Sequence, residues 1–421
     1  MKKLSAISLY TGAGGLDFGF EAARFRTAVA LEMDEKCVDT LRENRRWPVI
    51  CRDVNAVSTA EILAKAKLQR GEADVLIGGP PCQPFSKSGF WATGSTKRLH
   101  DPRASTLENY LRILEEGLPR TFLMENVEGL GFKGKDEGLQ YISRRLGEVN
   151  ARQGTNYVAC TAVLNAADFG VPQLRRRMFI VGARDGSPFR FPEPTHAPEV
   201  DFGFVGLRRY VTVWDALRSV RLRASEREEL RLRGKWADLL PTIPEGQNYL
   251  WHTERGGGQP LFGWRRRYWS FLLKLAKNSP SWTIQAQPGP ATGPFHWDNR
   301  RISIQEMARL QTFPKSVTIV GSYADAQRQL GNAVPSLVAE VLAREIGSQL
   351  LGRRLRGELA LAVKLSTTPP PAAPKPASLP SKYLSLKGEH RAHPGTGKGY
   401  RAVQRDQSLP ADTDELTEVH P

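Results

Sequence analysis

The residues with the most pointed chemistry lie in Asp74-Val75-Leu76-Ile77-Gly78-Gly79-Pro80-Pro81-Cys82-Gln83-Pro84-Phe85-Ser86. An apolar strand stops abruptly, and two glycines and two prolines then set a rigid loop that displays a thiol at the edge where α/β proteins bind ligands. Merely burying a cysteine does not require such a loop, so Cys82 reads as a nucleophile. A thiol of ordinary pKa, about 8.5, is only a few per cent thiolate at neutral pH and needs help from loop dipoles or from proton transfer to the substrate. Glu125 is the candidate helper: it ends the strand Phe122-Leu123-Met124-Glu125-Asn126-Val127. At the same sheet edge, burial raises a carboxyl's pKa and lets it share a proton with a ring nitrogen of a substrate.

Gln173, Arg175 and Arg177 alternate along Phe169-Gly170-Val171-Pro172-Gln173-Leu174-Arg175-Arg176-Arg177-Met178-Phe179, which places them on one face of an extended segment. Guanidiniums facing one way repel unless an anion or carbonyl oxygens lie between them. Near the N-terminus, Tyr10-Thr11-Gly12-Ala13-Gly14-Gly15-Leu16-Asp17 is a glycine-rich turn entering a helix. Glycines there permit positive φ and close approach of a ligand to the backbone. A dinucleotide fingerprint asks for a third glycine where Asp17 stands, so the pyrophosphate cradle is broken. Glu32, ending the next strand, is placed to accept hydrogen bonds from ribose hydroxyls, and Asp53, after the third strand, to receive an adenine amino group. Together these suit a nucleoside without a pyrophosphate, such as S-adenosylmethionine.

Elements that could hold these residues follow from periodicity. Strands are expected over 6–10, 27–32, 73–77, 120–125, 158–164 and 178–181, and helices over 35–43, 59–69, 106–115 and 139–150. This is an α/β fold, a doubly wound, mostly parallel, Rossmann-like sheet. From 191 to 299 the alternation gives way to proline, glycine, arginine and tryptophan, as in Gly256-Gly257-Gly258-Gln259-Pro260, and a second, smaller, irregular domain is expected. Helices over 304–311 and 335–351 return the chain to the first domain, which spans 1–190 and 300–356. From 357 to 421, Pro, Ala, Ser and charge dominate, as in Pro369-Pro370-Pro371-Ala372-Ala373-Pro374, and a disordered tail is expected.

The net charge is +16, and residues 367–421 balance seven basic against six acidic side chains, so nearly all the excess lies before them. A body this basic points to a polyanionic partner. Phe262-Gly263-Trp264-Arg265-Arg266-Arg267-Tyr268-Trp269 interleaves cations and aromatics, as phosphate contacts backed by packing would. Cys37, Cys51, Cys82 and Cys160 lack the close pairs of a zinc site or a disulfide scaffold, so no metal is expected. No apolar run approaches a membrane span, and the opening Met1-Lys2-Lys3-Leu4 carries no cleavable signal pattern. A cytoplasmic monomer without membrane contact is expected.

Taken in order, Tyr10–Gly15, Pro80-Pro81-Cys82, Glu125-Asn126-Val127, Gln173–Arg177, Arg309-Leu310-Gln311-Thr312-Phe313-Pro314 and Gly331-Asn332-Ala333-Val334-Pro335 resemble the ordered motifs of the cytosine-C5 DNA methyltransferase family, of the bacterial restriction-modification type. The one minor departure is Tyr10, where the family usually has phenylalanine; a tyrosine still stacks on adenine. The resemblance implies S-adenosylmethionine as methyl donor, held by Tyr10, Gly12, Gly14, Gly15, Glu32, Met33, Asp53 and Asn332, with the helix after Pro335 packed beside the glycine turn. It implies catalysis by Cys82, Glu125, Arg175 and Arg177 on a cytosine rotated out of double-stranded DNA, and a variable domain in which Thr283-Ile284 positions the target strand. Ser86, Gln173, Arg265, Arg266, Arg267 and Thr283 are the expected DNA contacts. A restriction endonuclease is a plausible companion of such an enzyme. Two other readings share these motifs: an RNA (tRNA) cytosine-C5 methyltransferase, disfavoured by the long basic region 191–299, and a DNA-binding regulator without catalysis, disfavoured by the presence of both Cys82 and Glu125.

Overall fold

The computed structural model of the chain describes residues 3–81, 105–131, 137–198, 206–264 and 268–387. Seven strands form the central sheet: β1 (Leu4–Leu9), β2 (Phe25–Glu32), β3 (Val49–Cys51), β4 (Val75–Gly78), β5 (Thr121–Val127), β6 (Cys160–Asn165) and, after the two-residue β7 (Gln173–Leu174) that lies outside it, β8 (Arg176–Ala183). Their order is β3-β2-β1-β4-β5-β8-β6. All neighbours run parallel except β8, which is antiparallel to both β5 and β6. This is the doubly wound, mostly parallel α/β architecture expected of the sequence.

Side-chain alternation explains why the sheet is covered on both faces. Ile7, Leu9, Leu76, Phe122, Met124 and Ile180 point into one core, and Ala6, Val75, Ile77, Leu123, Phe179 and Val181 into the other. With α2 (Glu35–Asn44) between β2 and β3, the first face is closed by α3 (Thr59–Ala66), α4 (Ser105–Gly117) and α5 (Glu137–Gln153), through residues such as Ile62, Leu111 and Leu146. The second is closed by α1 (Gly15–Ala22) and the helix Ser336–Leu350. These two pack backbone to backbone: a Cβ on Gly19 would lie 2.4 Å from the Ser336 carbonyl oxygen, and one on Gly15 would lie 2.3 Å from that of Val334. The C-terminal helix therefore sits beside the glycine turn, as the motif order implied.

Between 206 and 303 the described chain is made of short pieces, including the helices Val213–Leu217 and Ala224–Glu229 and several single turns. Its aromatic residues gather into a separate cluster in which Trp236 lies edge-on to Phe271 at 5.3 Å. A further cluster joins this region to helix α1: Phe18 shares it with Leu217, Leu275, Ile284 and Met307.

Disorder from 357 onward is not what the structure shows as far as Lys387. The carboxylate of fully buried Glu340 accepts from the Ala360 and Leu361 amides at 2.7 and 2.9 Å, and the Asp215 carboxylate accepts from the Ser366 amide at 2.6 Å. Tyr383 is buried, stacks on Trp236 at 6.1 Å and donates to the Lys235 carbonyl at 2.7 Å. The segment has no periodicity because it builds no core of its own. Leu359 and Leu361, Val363, then Leu379 and Leu386 each dock into a different pre-existing core.

Candidate active site

At the centre of the sheet, β1 and β4 are neighbours, and the chain winds away from them in opposite directions, to β2 and β3 on one side and to β5, β8 and β6 on the other. Open α/β sheets bind ligands at such a switch point, beyond the C-terminal strand ends. Here a cavity of about 900 Å³ opens there, large for a single small ligand, since pockets of this kind run from roughly 300 to 1,000 Å³. Its wall brings together Tyr10, Gly12, Gly15, Glu32, Met33, Asp53, Glu125, Arg175, Arg177 and Asn332, which come from six separate segments of the sequence.

In the nucleoside half, the Glu32 carboxylate accepts from the Gly12 amide at 2.7 Å and from the Asp34 amide at 2.8 Å. It thus joins the turn after β1 to the turn after β2, and each oxygen keeps a further lone pair for a ligand hydroxyl. Burial raises its pKa, opposed by these amide hydrogen bonds. Gly12 has φ +55°, which favours glycine, and a Cβ there would meet nothing within 4 Å, so the turn leaves open space beside the backbone. Asp53 caps the turn Val54–Ala56 by accepting from the Asn55 amide at 2.9 Å. Met33 presents a 66% exposed apolar side chain, and Asn332, also exposed, closes the opposite wall from the end of the helix Tyr323–Asn332.

Gly14 departs from the expected role in binding the cofactor. It is not in the wall: its amide donates to the Thr11 carbonyl at 3.0 Å, and a Cβ would press on Leu41 at 3.0 Å, so it serves the turn and its packing. Tyr10 does line the cavity, but its hydroxyl is committed to the Thr106 carbonyl at 2.6 Å, which fixes the ring against α4.

Asp17, where the third glycine of a dinucleotide site would be, is fully buried beneath this turn and accepts from Ser8 and Thr27 hydroxyls at 2.9 and 3.1 Å. Burial pushes its pKa up to about 6, against those hydrogen bonds. The folded protein thus holds this proton more tightly than the unfolded chain, whose value is about 4. The contribution to stability is complete below about pH 4 and is lost as pH rises through about 6. The Asp17→Asn variant lacks this titration, so its unfolding free energy should gain on that of the wild type between about pH 4 and 6 and run parallel to it above. A difference independent of pH in urea titrations would contradict this.

Cys82 and Ser86 lie outside the described residues, as do Arg265, Arg266 and Arg267. The chain immediately before Cys82 is described and is held at the cavity. The Asn126 amide side chain donates to the Pro80 carbonyl at 3.3 Å, and the Thr106 hydroxyl donates to the Pro81 carbonyl at 2.9 Å. Gly79 passes directly over Glu125: a Cβ there would stand 3.0 Å from Oε2 of that carboxylate.

Glu125 is buried and pairs with Nε of Arg177 at 3.1 Å. Burial raises its pKa; the Arg177 and Arg175 charges oppose the rise. Arg175 is itself buried, 2% exposed, and burial together with Arg177 holds its pKa well below the usual guanidinium range. One of its terminal nitrogens donates to the Gly331 carbonyl at 3.0 Å, while its Nε and its other terminal nitrogen have no partner among the described residues. Buried donors left unpaired are costly, and they are what an incoming acceptor would satisfy.

The expectation that Gln173, Arg175 and Arg177 share one face is corrected here. Arg175 turns to Gly331 and Arg177 to Glu125, and both line the cavity, whereas Gln173 is fully buried and is not part of that wall. Its amide donates to Gln311 Oε1 at 3.2 Å and accepts from the Ile284 amide at 3.2 Å. Gln173 is therefore a tie between distant segments, its amide spent on Gln311 and Ile284 rather than presented for the DNA contact expected of it. Thr283 is half-buried, and its hydroxyl donates to the Leu174 carbonyl at 2.7 Å.

Sequence reasoning missed Asn126 and Thr106 as holders of the Pro80-Pro81 carbonyls, and it missed Arg328, which lines the cavity and pairs with Asp34 and Asp325. Asn126 sits inside a motif already singled out; Arg328 and Asp34 are too far apart in sequence for any local signal.

A doubly wound sheet with a cavity at its switch point that has room for a nucleoside and more, and with a buried carboxylate and arginines beside it, is the architecture of an α/β enzyme of the nucleoside-using kind. Residues 4–348 match the family described as C-5 cytosine-specific DNA methylase, and the chain belongs to that family of DNA (cytosine-5-)-methyltransferases. Among similar proteins, the type II methyltransferase M.SacI of Streptomyces achromogenes is 40% identical over 83% of this chain and 94% of its own length. M.NgoFVII of Neisseria gonorrhoeae is 33% identical over 82% of this chain and 86% of its own. Among solved structures, a candidate DNA modification methyltransferase from an E. coli prophage shares the fold, with a TM-score of 0.58 at 22% identity over 83% of this chain and all of that one. Family membership implies S-adenosylmethionine as the methyl donor.

Proposed function

We propose that this enzyme methylates carbon 5 of cytosine within a specific sequence of double-stranded DNA, through a covalent bond from Cys82 to carbon 6 of a base rotated out of the helix. The observation that carries this reading is the convergence on one cavity of the Pro80-Pro81 lead-in to Cys82, the buried Glu125 and the unpaired donors of Arg175.

The residues present fit the methyl donor. Glu32 retains lone pairs for ribose hydroxyls, Asp53 stands at the wall for an adenine amino group, and Met33 and the Tyr10 ring offer apolar surface. When bound, S-adenosylmethionine supplies an electrophilic methyl group. Cys82 adds its sulfur to carbon 6 while Glu125 protonates or hydrogen-bonds N3, moving the ring electrons toward carbon 5. Arg177 and Arg175 hold the O2 oxygen; the free donors of Arg175 favour it for that task, since Arg177 already faces Glu125. After methylation, water removes the carbon-5 proton, and the electron pair left behind expels the Cys82 thiolate and restores the aromatic ring.

Residues 1–190 with 300–356 form the catalytic domain in this reading, and 191–299 the target-recognition domain. Arg265, Arg266 and Arg267 contact phosphates, and Ser86 and Thr283 position the target strand. The enzyme acts as a monomer in the bacterial cytoplasm, beside a restriction endonuclease. Bisulfite sequencing of DNA from cells expressing the protein should find unconverted cytosines confined to one sequence context. Full conversion of DNA together with newly methylated tRNA would overturn the DNA assignment in favour of RNA.

A further inference from the structure

Trp269 and Trp282 are 41% and 36% exposed, and their rings meet edge to face, 5.5 Å between centroids at 73°. Large aromatics left in water together mark an interaction surface more often than chance placement. Both are firmly mounted. Ser281–Trp282 pairs in parallel with Gln173–Leu174, and the Ser281 amide donates to the Pro172 carbonyl at 3.0 Å. The Asn248 side chain donates to the Trp269 carbonyl at 2.8 Å.

That register sets Trp282 opposite Leu174, one residue before Arg175, which lines the catalytic cavity. An exposed aromatic pair is thus mounted on the segment that runs alongside the one delivering Arg175 to the catalytic cavity, on a chain of net charge +16. Indole faces stack on nucleobases of any identity, and a strand that has rotated one base out exposes the faces of its neighbours.

We propose that Trp282, braced by Trp269, stacks on a base next to the flipped cytosine and so holds the opened strand; this rests on the base-flipping reading above. Because every base has a π face, the contact governs affinity for the opened duplex and leaves the sequence context unchanged.

The test uses a duplex carrying the context found by bisulfite sequencing, with 5-iodouracil beside the target cytosine. Irradiation with the wild-type protein should give a crosslinked peptide containing Trp282 or Trp269. For Trp282→Ala, the KM for that duplex without the iodine should rise about tenfold with kcat changed much less, and Trp282→Phe should recover most of the loss. An unchanged bisulfite context is expected in the variant. Crosslinks that map to neither tryptophan, or a KM within about twofold of wild type in a folded Trp282→Ala protein, would overturn the proposal. If the alanine variant fails to fold, the wild-type crosslink decides alone. Failure of the underlying reading is distinct, since wild type would then methylate no DNA cytosine at all.

Discussion

Cys82→Ala should lower methyl transfer to DNA by a factor on the order of 10⁴ to 10⁶, the loss typical when a covalent nucleophile is removed from an intact site. Without sulfur addition at carbon 6, carbon 5 of cytosine has too little electron density to take a methyl group, and the Cys37 thiol that also lines the cavity is buried, with its pKa raised by that burial. Glu125, Arg175 and Arg177 are hydrogen-bond and proton partners, not nucleophiles. Binding should survive the change. The nucleoside half of the cavity is built on β1, β2 and β3, which make no use of Cys82. Gel-shift affinity for the recognition duplex within about threefold of wild type, beside lost turnover in a filter-binding assay with labelled donor, is the expected pairing. Turnover retained within about tenfold would show that another group carries the covalent step.

Glu125→Gln should reduce turnover by roughly 10² to 10⁴-fold, the usual range for a positioned acid or base. The amide keeps the shape and can still donate a hydrogen bond, but it cannot release and recover a proton. Burial raises the pKa of Glu125 and the two arginine charges resist the rise, so the carboxyl is poised to exchange its proton with a substrate nitrogen. The sign of the pH effect follows. The protonated carboxyl is the active form, so wild-type turnover should fall as pH climbs through its raised pKa, while the need for a Cys82 thiolate makes turnover fall on the acid side. Glu125→Gln should lose the alkaline limb and keep the acid one. A variant whose profile retains both limbs would assign the alkaline limb to another group.

These two residues also illustrate what the sequence makes legible. A strand that ends in Gly-Gly-Pro-Pro before a cysteine, and another that ends in Glu-Asn-Val, are local patterns, and both strands emerge close to their expected bounds at adjacent positions in the sheet. Their convergence on one cavity is then a consequence of topology. Roles that depend on partners far away in sequence are not legible. Gln173 looks equivalent to Arg175 and Arg177 by spacing, yet its amide is consumed by Gln311 and Ile284, and the β7 register that enforces this comes from Ser281–Trp282. Gly14 resembles Gly12 and Gly15 until Leu41 is seen beneath it. The segment after 357 looks unstructured because the few apolar residues it buries, such as Leu361, Val363 and Tyr383, dock on surfaces that other parts of the chain provide.

The central claim is that Cys82 bonds to the target base, and duplex DNA with 5-fluorocytosine at the methylated position tests it most directly, because carbon 5 then has no proton to lose and the thiol cannot be expelled. Wild-type protein with S-adenosylmethionine should give a denaturant-resistant protein–DNA complex whose only modified peptide carries Cys82, and Cys82→Ala should give none. Absence of that complex from a wild-type preparation that methylates the ordinary duplex would contradict the covalent mechanism.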